Sequence, residues 1–483
     1  MSSAANRRKK TATAENESPE SEKQRRLVKK SLPALLFVVV LGNVLNQAFN
    51  LVFQNIGTDL HMSASASLLA TLPGIVLAVA CMVYDTLCDF ISPRRMIQWG
   101  VGALIVASVV GFFFSGNFWV VLVVRMVQSA GAQVTGSVFV VMAVKYLAPS
   151  EKVVYLGVNN AVYFFACMIG VVAGGFIEMI PWKFLLLSPA LAVVVLPLLL
   201  RNIPDVSGTG EKVDAFGITV FGLIAALVVV YFSFPSFWWL VAAAVLAVVF
   251  GFYAAYGSHP FLTRKLLGNL SFLGIIAILF VAYFFQYACV PIYQVMGGQV
   301  YRLSLMTVSL CLAAVYLVQL VMGLLSGPIV NKIGRYNTIF LSVTLMTVGF
   351  GLSALLASRG FWLMLVLCCV YDAGVTVIYS PMYDAAAAAL PAQERGRSVA
   401  ICDLMINVSP AIGIAVYSAL LGDPSFGRRA FPGVSKAASQ VSDMFWLMFL
   451  AAVAALALTL VFRKRIDERQ ALGAGAYMES ESI

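Results

Sequence analysis

Three charged residues lie deep inside long apolar runs, and they are where chemistry could happen. Arg125 stands about eight residues into the run over 118–144, Asp372 near the middle of 361–385, and Asp403 early in 398–421. A charge held in hydrocarbon costs about 2.5–3.5 kcal/mol on insertion scales, so each must face a partner or a wet cavity. A carboxylic acid held there can take up and release a proton during a cycle. Asp372 and Asp403 are therefore candidate proton carriers. Arg125 is a candidate cavity cation that relays protons or holds an anionic group. The competing readings are structural: Arg125 as a clamp on backbone carbonyls or a nearby amide, and each acid as a packing group bonded to neighbouring hydroxyls.

Uncharged polar residues repeat at helical spacing around these three. Asp372, Thr376, Tyr379 and Tyr383 follow at i, i+4, i+7 and i+11 and share one helix face. Asn43, Asn46, Gln47 and Asn50 do the same in the first run, and Tyr283, Gln286 and Tyr287 in the ninth. Further candidates are Gln128 and Gln133 beside Arg125, Asn159, Asn160 and Tyr163 in the fifth run, Tyr316 and Gln319 in the tenth, and Asn407 one turn beyond Asp403. Lipid cannot satisfy such rows, so they should face a cavity. A single Asn or Gln can equally serve as interhelical glue. Whole stripes favour the cavity. Pro381 should kink the twelfth run, because its ring blocks the bond to the Val377 carbonyl.

The elements that position these residues are membrane helices. Of 483 residues, 61% are hydrophobic and 11% charged, too little charge to cover a water-facing surface. Apolar runs fall near 32–55, 67–86, 96–115, 118–144, 153–180, 182–200, 216–234, 236–256, 270–294, 303–325, 338–357, 361–385, 398–421 and 443–462. Each is about as long as the roughly 20 residues that cross a bilayer core. With the N-terminus inside, the outer segments hold only Lys183, Arg302, Arg359, Arg428, Arg429 and Lys436 of the basic residues outside the spans. Every tryptophan but Trp99 then falls at an outer end. This bias places both termini in the cytoplasm of a cell inner membrane.

The net charge of +10 is dispersed over short loops and a basic N-terminal arm carrying Arg7, Arg8, Lys9 and Lys10. That distribution suits anionic lipid headgroups and excludes a nucleic-acid partner. The cysteines lie in or beside apolar runs, with no disulfide or metal spacing, and Cys368–Cys369 reads as packing. No cofactor is expected.

Two inner loops repeat. After the second run stand Asp85, Asp89, Arg94 and Arg95; after the tenth stand Asn331 and Arg335. The first loop resembles the signature Gly-x-Leu-x-Asp-Arg-x-Gly-Arg-Arg of the major facilitator superfamily, with Asp85 in place of its leading Gly. Arg125-Met-Val-Gln128-Ser-Ala-Gly131 resembles that family's Arg-x-x-Gln-Gly-x-Gly element. Gly170-Val-Val-Ala-Gly174-Gly175 resembles its antiporter element Gly-Pro-x-x-Gly-Gly, with Val171 at the Pro. The run count is similar to the fourteen-span drug:proton antiporter branch, which includes tetracycline and quaternary-ammonium exporters. Members of that branch often carry an acid in the first span, where this chain has Gln47.

The resemblance implies an all-α membrane protein of two six-helix bundles plus two inserted helices. The expected parts are a disordered basic tail (1–31), an N-terminal bundle (32–201), the insert with its flanking loops (202–268), a C-terminal bundle (269–462) and a C-terminal tail (463–483). Spans 1, 4, 9 and 12 should line the cavity, with the loop residues above as an inner-face latch. The implied function is secondary active transport of a small organic solute by alternating access, as proton-coupled efflux of multidrug or antibiotic type. The alternative on the same fold is a metabolite permease for uptake or exchange. The partners implied are a small molecule, protons and lipid, acting on a monomer. A membrane enzyme would show clustered His, Asp or Cys at one interface, and a sensor an added soluble domain; neither is present in the sequence.

Overall fold

The computed structural model describes residues 19–464 and 466, apart from 88–90, 148, 205–213, 258–259, 391–394, 424–425 and 427–434. Among the described residues, thirteen helices are long and apolar enough to cross a membrane. The remaining expected crossing, span 9, is a broken helix. It runs from Leu270 to Tyr283, opens over 284–288, and resumes from Cys289 to Val295 with a π-turn at Met296–Val300. The fourteen-run reading therefore holds, with one discontinuous member.

Local chemistry sets the helix ends. The Ser92 hydroxyl accepts the Arg95 N–H ahead of Pro93, and the Asn117 side chain accepts the Trp119 and Val120 N–H groups. Ser304 and Ser435 cap spans 10 and 14 in the same way. Such side chains satisfy amides that have no intrahelical partner.

Spans 1 (Pro19–Asp59), 2 (Leu68–Leu87), 3 (Pro93–Phe113), 4 (Phe118–Tyr146), 5 (Pro149–Gly175) and 6 (Lys183–Asn202) form the first bundle. Within it, span 1 packs on spans 4 and 5, and span 4 on spans 2 and 3. Span 9 and spans 10 (Leu305–Ile333), 11 (Arg335–Leu356), 12 (Phe361–Ala388), 13 (Arg395–Gly422) and 14 (Lys436–Val461) form the second. There, span 11 packs on spans 12 and 14, span 10 on span 12, and span 9 on spans 13 and 14. The bundles meet along two seams, span 5 against span 10 and span 2 against span 13. The halves also match in detail. The loops after spans 1 and 9 each carry one non-glycine residue in the left-handed region, His61 at φ 55° and Arg302 at φ 52°.

The insert is a hairpin of span 7 (Ala215–Ser233) and span 8 (Phe237–Tyr256). Span 7 lies against both span 2 and span 13, and span 8 packs mainly on span 7. Asp214 ties the hairpin at its base. Its carboxylate accepts the Gly217 and Phe261 N–H groups and the Tyr253 hydroxyl at 2.6–2.8 Å.

The expected disordered tail needs correction. Residues 1–18 lie outside the described residues, but 19–31 are a helical extension of span 1. Arg25 and Lys29, one turn apart, both reach Glu151 at the start of span 5, at 2.9 and 2.7 Å. The Lys29 ammonium and the Arg25 guanidinium push the Glu151 carboxyl down to about 2.

Candidate functional site

The candidate residues converge on a small chamber where the two bundles touch. Gln47 of span 1, Tyr163 of span 5, Gln286 of span 9, Tyr316 and Gln319 of span 10 and Asp372 of span 12 all line it. Tyr287, Cys289 and Cys368 complete its polar wall. The chamber holds about 20 Å³, room for about one water.

Local breaks in the helices build this site. Pro381 divides span 12 between Val377 and Tyr379, as its sequence implies, and the Val377 carbonyl accepts the Ser326 hydroxyl of span 10 at 3.2 Å. The break in span 9 turns Gln286 and Tyr287 onto the chamber wall. Span 13 supports that break. The Ser409 hydroxyl donates to the Phe280 carbonyl at 2.5 Å, and one turn on Gly413 presses its backbone against the Phe284 carbonyl. The span 5 glycines permit the close approach that brings Tyr163 to the chamber. Gly170 and Gly174 lie against the span 1 backbone at Val44 and Ala48, and Gly175 against Ser309 of span 10.

Asp372 is 6% exposed. Its Oδ1 accepts the Gln319 side-chain amide at 2.6 Å, and its Oδ2 accepts the Cys368 thiol at 3.3 Å. Among the described residues no cation pairs with it. A carboxyl held only by neutral donors can change charge without breaking an ion pair. Thr376, one turn on, donates to the Asp372 backbone carbonyl at 2.8 Å.

Arg125 is 1% exposed and also lacks a carboxylate among the described residues. Its guanidinium donates to Asn46 at 2.7 Å and Gln128 at 3.5 Å, and lies 4.4 Å from the Phe49 ring centroid. Arg125, Asn46 and Gln128 thus form a polar core inside the first bundle, behind the chamber wall. Gln128 donates further to Ser108 and to the Leu186 carbonyl. Asn50 donates to Gln47 at 3.2 Å and so supports the wall from behind. Gln133 bonds within its own helix to Ser137. Asn159 lies on span 5 outside the lining, and its Oδ1 is buried without a hydrogen bond.

The other candidates lie toward the end that carries both termini. Tyr283 donates to the Val375 carbonyl at 3.3 Å. The Tyr379 and Tyr383 rings are 4.4 Å apart, and the Tyr383 hydroxyl donates to Asp403. Asn407 bonds the Asp403 backbone carbonyl. Of the loop residues, Asp89 and the Asp85 side chain lie outside the described residues; Arg94, Arg95 and Asn331 are exposed. Arg335 donates from Nε to Asp384 at 2.6 Å, within the second bundle.

At the opposite end the bundles part. A cleft of about 970 Å³ opens there, walled by Gln54, Asn55, Ser67, Gln294, Gln299 and Gln440 among others. Hydrogen bonds that cross between the bundles below its mouth include Gln294 to Asn55 at 2.7 Å and Tyr316 to Gln47 at 3.1 Å. The molecule is thus shut at its centre and widened at one end.

The family model described as Major Facilitator Superfamily matches residues 35–277 and again 275–477. The chain belongs to the major facilitator superfamily. Its curated relatives include the riboflavin transporter RibZ of Clostridioides difficile (strain 630), 20% identical over 403 residues, which span 82% of this chain and 88% of RibZ. Solved major facilitator folds similar to it include a POT family transporter in complex with 5-aminolevulinic acid, with TM-score 0.66, 13% identity, and 90% and 96% of the two chains covered. A D-xylose–proton symporter matches with TM-score 0.63, 13% identity, and 89% and 97% covered. As a member of this superfamily the chain is a multi-pass membrane transporter for a small molecule.

The chamber thiols were not legible in the sequence. Cys368 reads there as packing, yet it is 1% exposed and bonded to Asp372. Its place four residues before Asp372, on the same helix face, was the available signal. Cys289 follows the break in span 9, for which Pro291, four residues after Tyr287, was the available signal.

Proposed function

We propose that this protein is a proton-coupled alternating-access carrier of a small planar organic solute rich in hydrogen-bonding groups. The observation that carries this reading is Asp372, a buried carboxyl held by neutral donors in a chamber where spans of both bundles meet. Gln47, Gln286 and Gln319 offer amides, and Tyr163, Tyr287 and Tyr316 offer rings and hydroxyls. Rings of this kind stack on flat solutes, while the amides fix orientation. In the closed form described here the solute does not fit; the chamber must widen as the bundles rock about it.

The favoured direction is export from the cytoplasm, where the basic loops place both termini, with a proton entering in exchange. The span 5 element Gly170-Val-Val-Ala-Gly174-Gly175 supports this direction through its resemblance to the antiporter element. The second reading is metabolite uptake or exchange, favoured by the similarity to a riboflavin transporter and by Val171 in place of the element's proline. Asp403 serves in either case as a second carboxyl on the cytoplasmic side. Arg125 holds span 4 to span 1 behind the chamber. The carrier works as a monomer among anionic lipids.

Purified protein in liposomes loaded with a pH-sensitive dye tests this. Riboflavin and a panel of organic cations are applied under an imposed pH gradient, on wild type and Asp372→Asn. We expect solute-dependent proton flux, reduced about tenfold or more in the variant. Equal flux in the two proteins would remove Asp372 from the coupling step.

A further inference from the structure

Gln319 of span 10 lines the chamber beside Asp372 and is 3% exposed. Only one end of its amide is used. Nε2 donates to Asp372 Oδ1 at 2.6 Å, while Oε1 is buried without a hydrogen-bond partner. The Gln47 amide across the chamber differs, since its Oε1 accepts both the Tyr316 hydroxyl and the Asn50 amide. An unmet buried acceptor is costly, and a methionine fills similar space without that cost. A partner that comes and goes accounts for the half-used amide, and the chamber is where a solute group would arrive. Asp372 supplies the other half of the argument. Both its oxygens already hold a protein donor, Gln319 on Oδ1 and Cys368 on Oδ2. An ionised carboxylate only accepts, so it draws Nε2 toward itself and leaves Oε1 over. A protonated carboxyl also donates.

We propose that Gln319 reads the charge of Asp372 and converts it into the hydrogen-bonding polarity that the chamber offers a solute, on the reading that Asp372 is the proton-carrying group. With Asp372 ionised, Oε1 is the free end, and the site takes a solute that presents an N–H or O–H donor. When Asp372 takes a proton from solvent, an O–H bond forms at Oδ1 and the carboxylate charge is cancelled; nothing else is transferred. The new hydroxyl needs an acceptor, and half a turn of the amide about its terminal bond brings Oε1 to it. Nε2 is then the free end, and two donors face each other where a bond had been. A solute held through its donor is released as the proton enters, which is what exchange requires. Glutamine suits the task because the two ends of its amide are alike in size and opposite in polarity. The titratable groups facing Asp372 are Cys289 of span 9, Tyr316 of span 10, and Cys368, Cys369 and Tyr371 of its own span. Tyr163 and Tyr287 stand on the chamber wall, and span 11 sets the Phe350 ring against Tyr371.

The experiment uses the full chain in lipid nanodiscs and needs no solute. Infrared absorbance is recorded from about pH 5 to about pH 8, a window below the ordinary thiol and phenol values of about 8.5 and 10. The carboxylic C=O band of Asp372 is assigned by its loss in Asp372→Asn. The side-chain amide C=O band of Gln319, in protein grown with labelled glutamine, is assigned by its loss in Gln319→Met or Gln319→Leu. We expect the Gln319 band to move to lower frequency as its oxygen gains the Asp372 hydroxyl, with the same midpoint as the rise of the Asp372 band. In Asp372→Asn the Gln319 band should hold one position throughout. A Gln319 band that stays fixed while Asp372 titrates overturns the switch and leaves Asp372 as the proton carrier. A Gln319 band that still moves in Asp372→Asn overturns it as well. If no Asp372 band responds to pH, the reading on which the switch rests fails first, and the switch with it.

Discussion

Arg125 is kept inside the first bundle by amides and a ring in place of a carboxylate. Asn46 and Gln128 supply acceptor oxygens, and Phe49 supplies its negative face. The sequence shows that Arg125 must be satisfied and places Asn46 on the facing stripe. It does not show that Gln128 turns away from the cavity, because the Ser108 hydroxyl and the Leu186 carbonyl that hold it come from spans 3 and 6. Long-range partners of this kind leave no trace in helical spacing. Glu151 carries a testable consequence at the same scale. Its carboxyl is held at about 2, below the usual 4.5, by Lys29 and Arg25. The pairing therefore stabilises the fold above pH 4.5 and is lost as pH falls toward 2. Surface pairs contribute about 0.2–1 kcal/mol each, so the effect is local. Protection from hydrogen exchange over residues 19–31, relative to the intrinsic rate at each pH, should be lower in Glu151→Gln at neutral pH, and in wild type should fall only below pH 4.5. Identical exchange in the two proteins at neutral pH would show that Glu151 does not anchor the extension.

Among the elements, span 9 departs most from its sequence. Its run reads as one continuous helix, and the one proline in it, Pro291, stands beyond 284–288. Pro291 contributes to the break, because its ring blocks the bond to the Tyr287 carbonyl; from span 13, Ser409 takes up the Phe280 carbonyl, and Gly413 leaves room for the Phe284 carbonyl. A β-carbon at Gly413 would collide with the Phe284 carbonyl. Gly413→Ala should therefore cost about 1–3 kcal/mol and lower solute flux. Gly327, in the second bundle, has open space where a β-carbon would sit, so Gly327→Ala is the control that should change neither. Thermal unfolding in detergent alongside the liposome assay checks both, and equal stability of the two variants would mean that the break does not depend on this contact. The kink in span 12 was legible because Pro381 carries its cause in the chain itself.

For the whole molecule, the halves and the insert were legible because hydropathy, loop charge and repetition each report them independently. The state of the passage was not, since closure depends on side chains of distant spans meeting. Asn55 and Gln294 meet at the floor of the wide cleft, one from each bundle. Rocking requires them to part. Cysteines at both positions, oxidised with copper phenanthroline, should stop flux, and reduction should restore it. Full flux in the cross-linked protein would mean that the bundles do not separate at this layer.

The hairpin of spans 7 and 8 leans on span 2 and span 13 and is absent from the other seam. Because it contributes two crossings, it returns the chain to the face it left, and the second bundle is threaded in the same sense as the first. A single extra crossing would have inverted every later loop, sent its charges to the wrong compartment and destroyed the match between the halves. An even insertion leaves that relation untouched, so a carrier built this way can gain or shed a pair of helices at the linker without redesigning the passage itself.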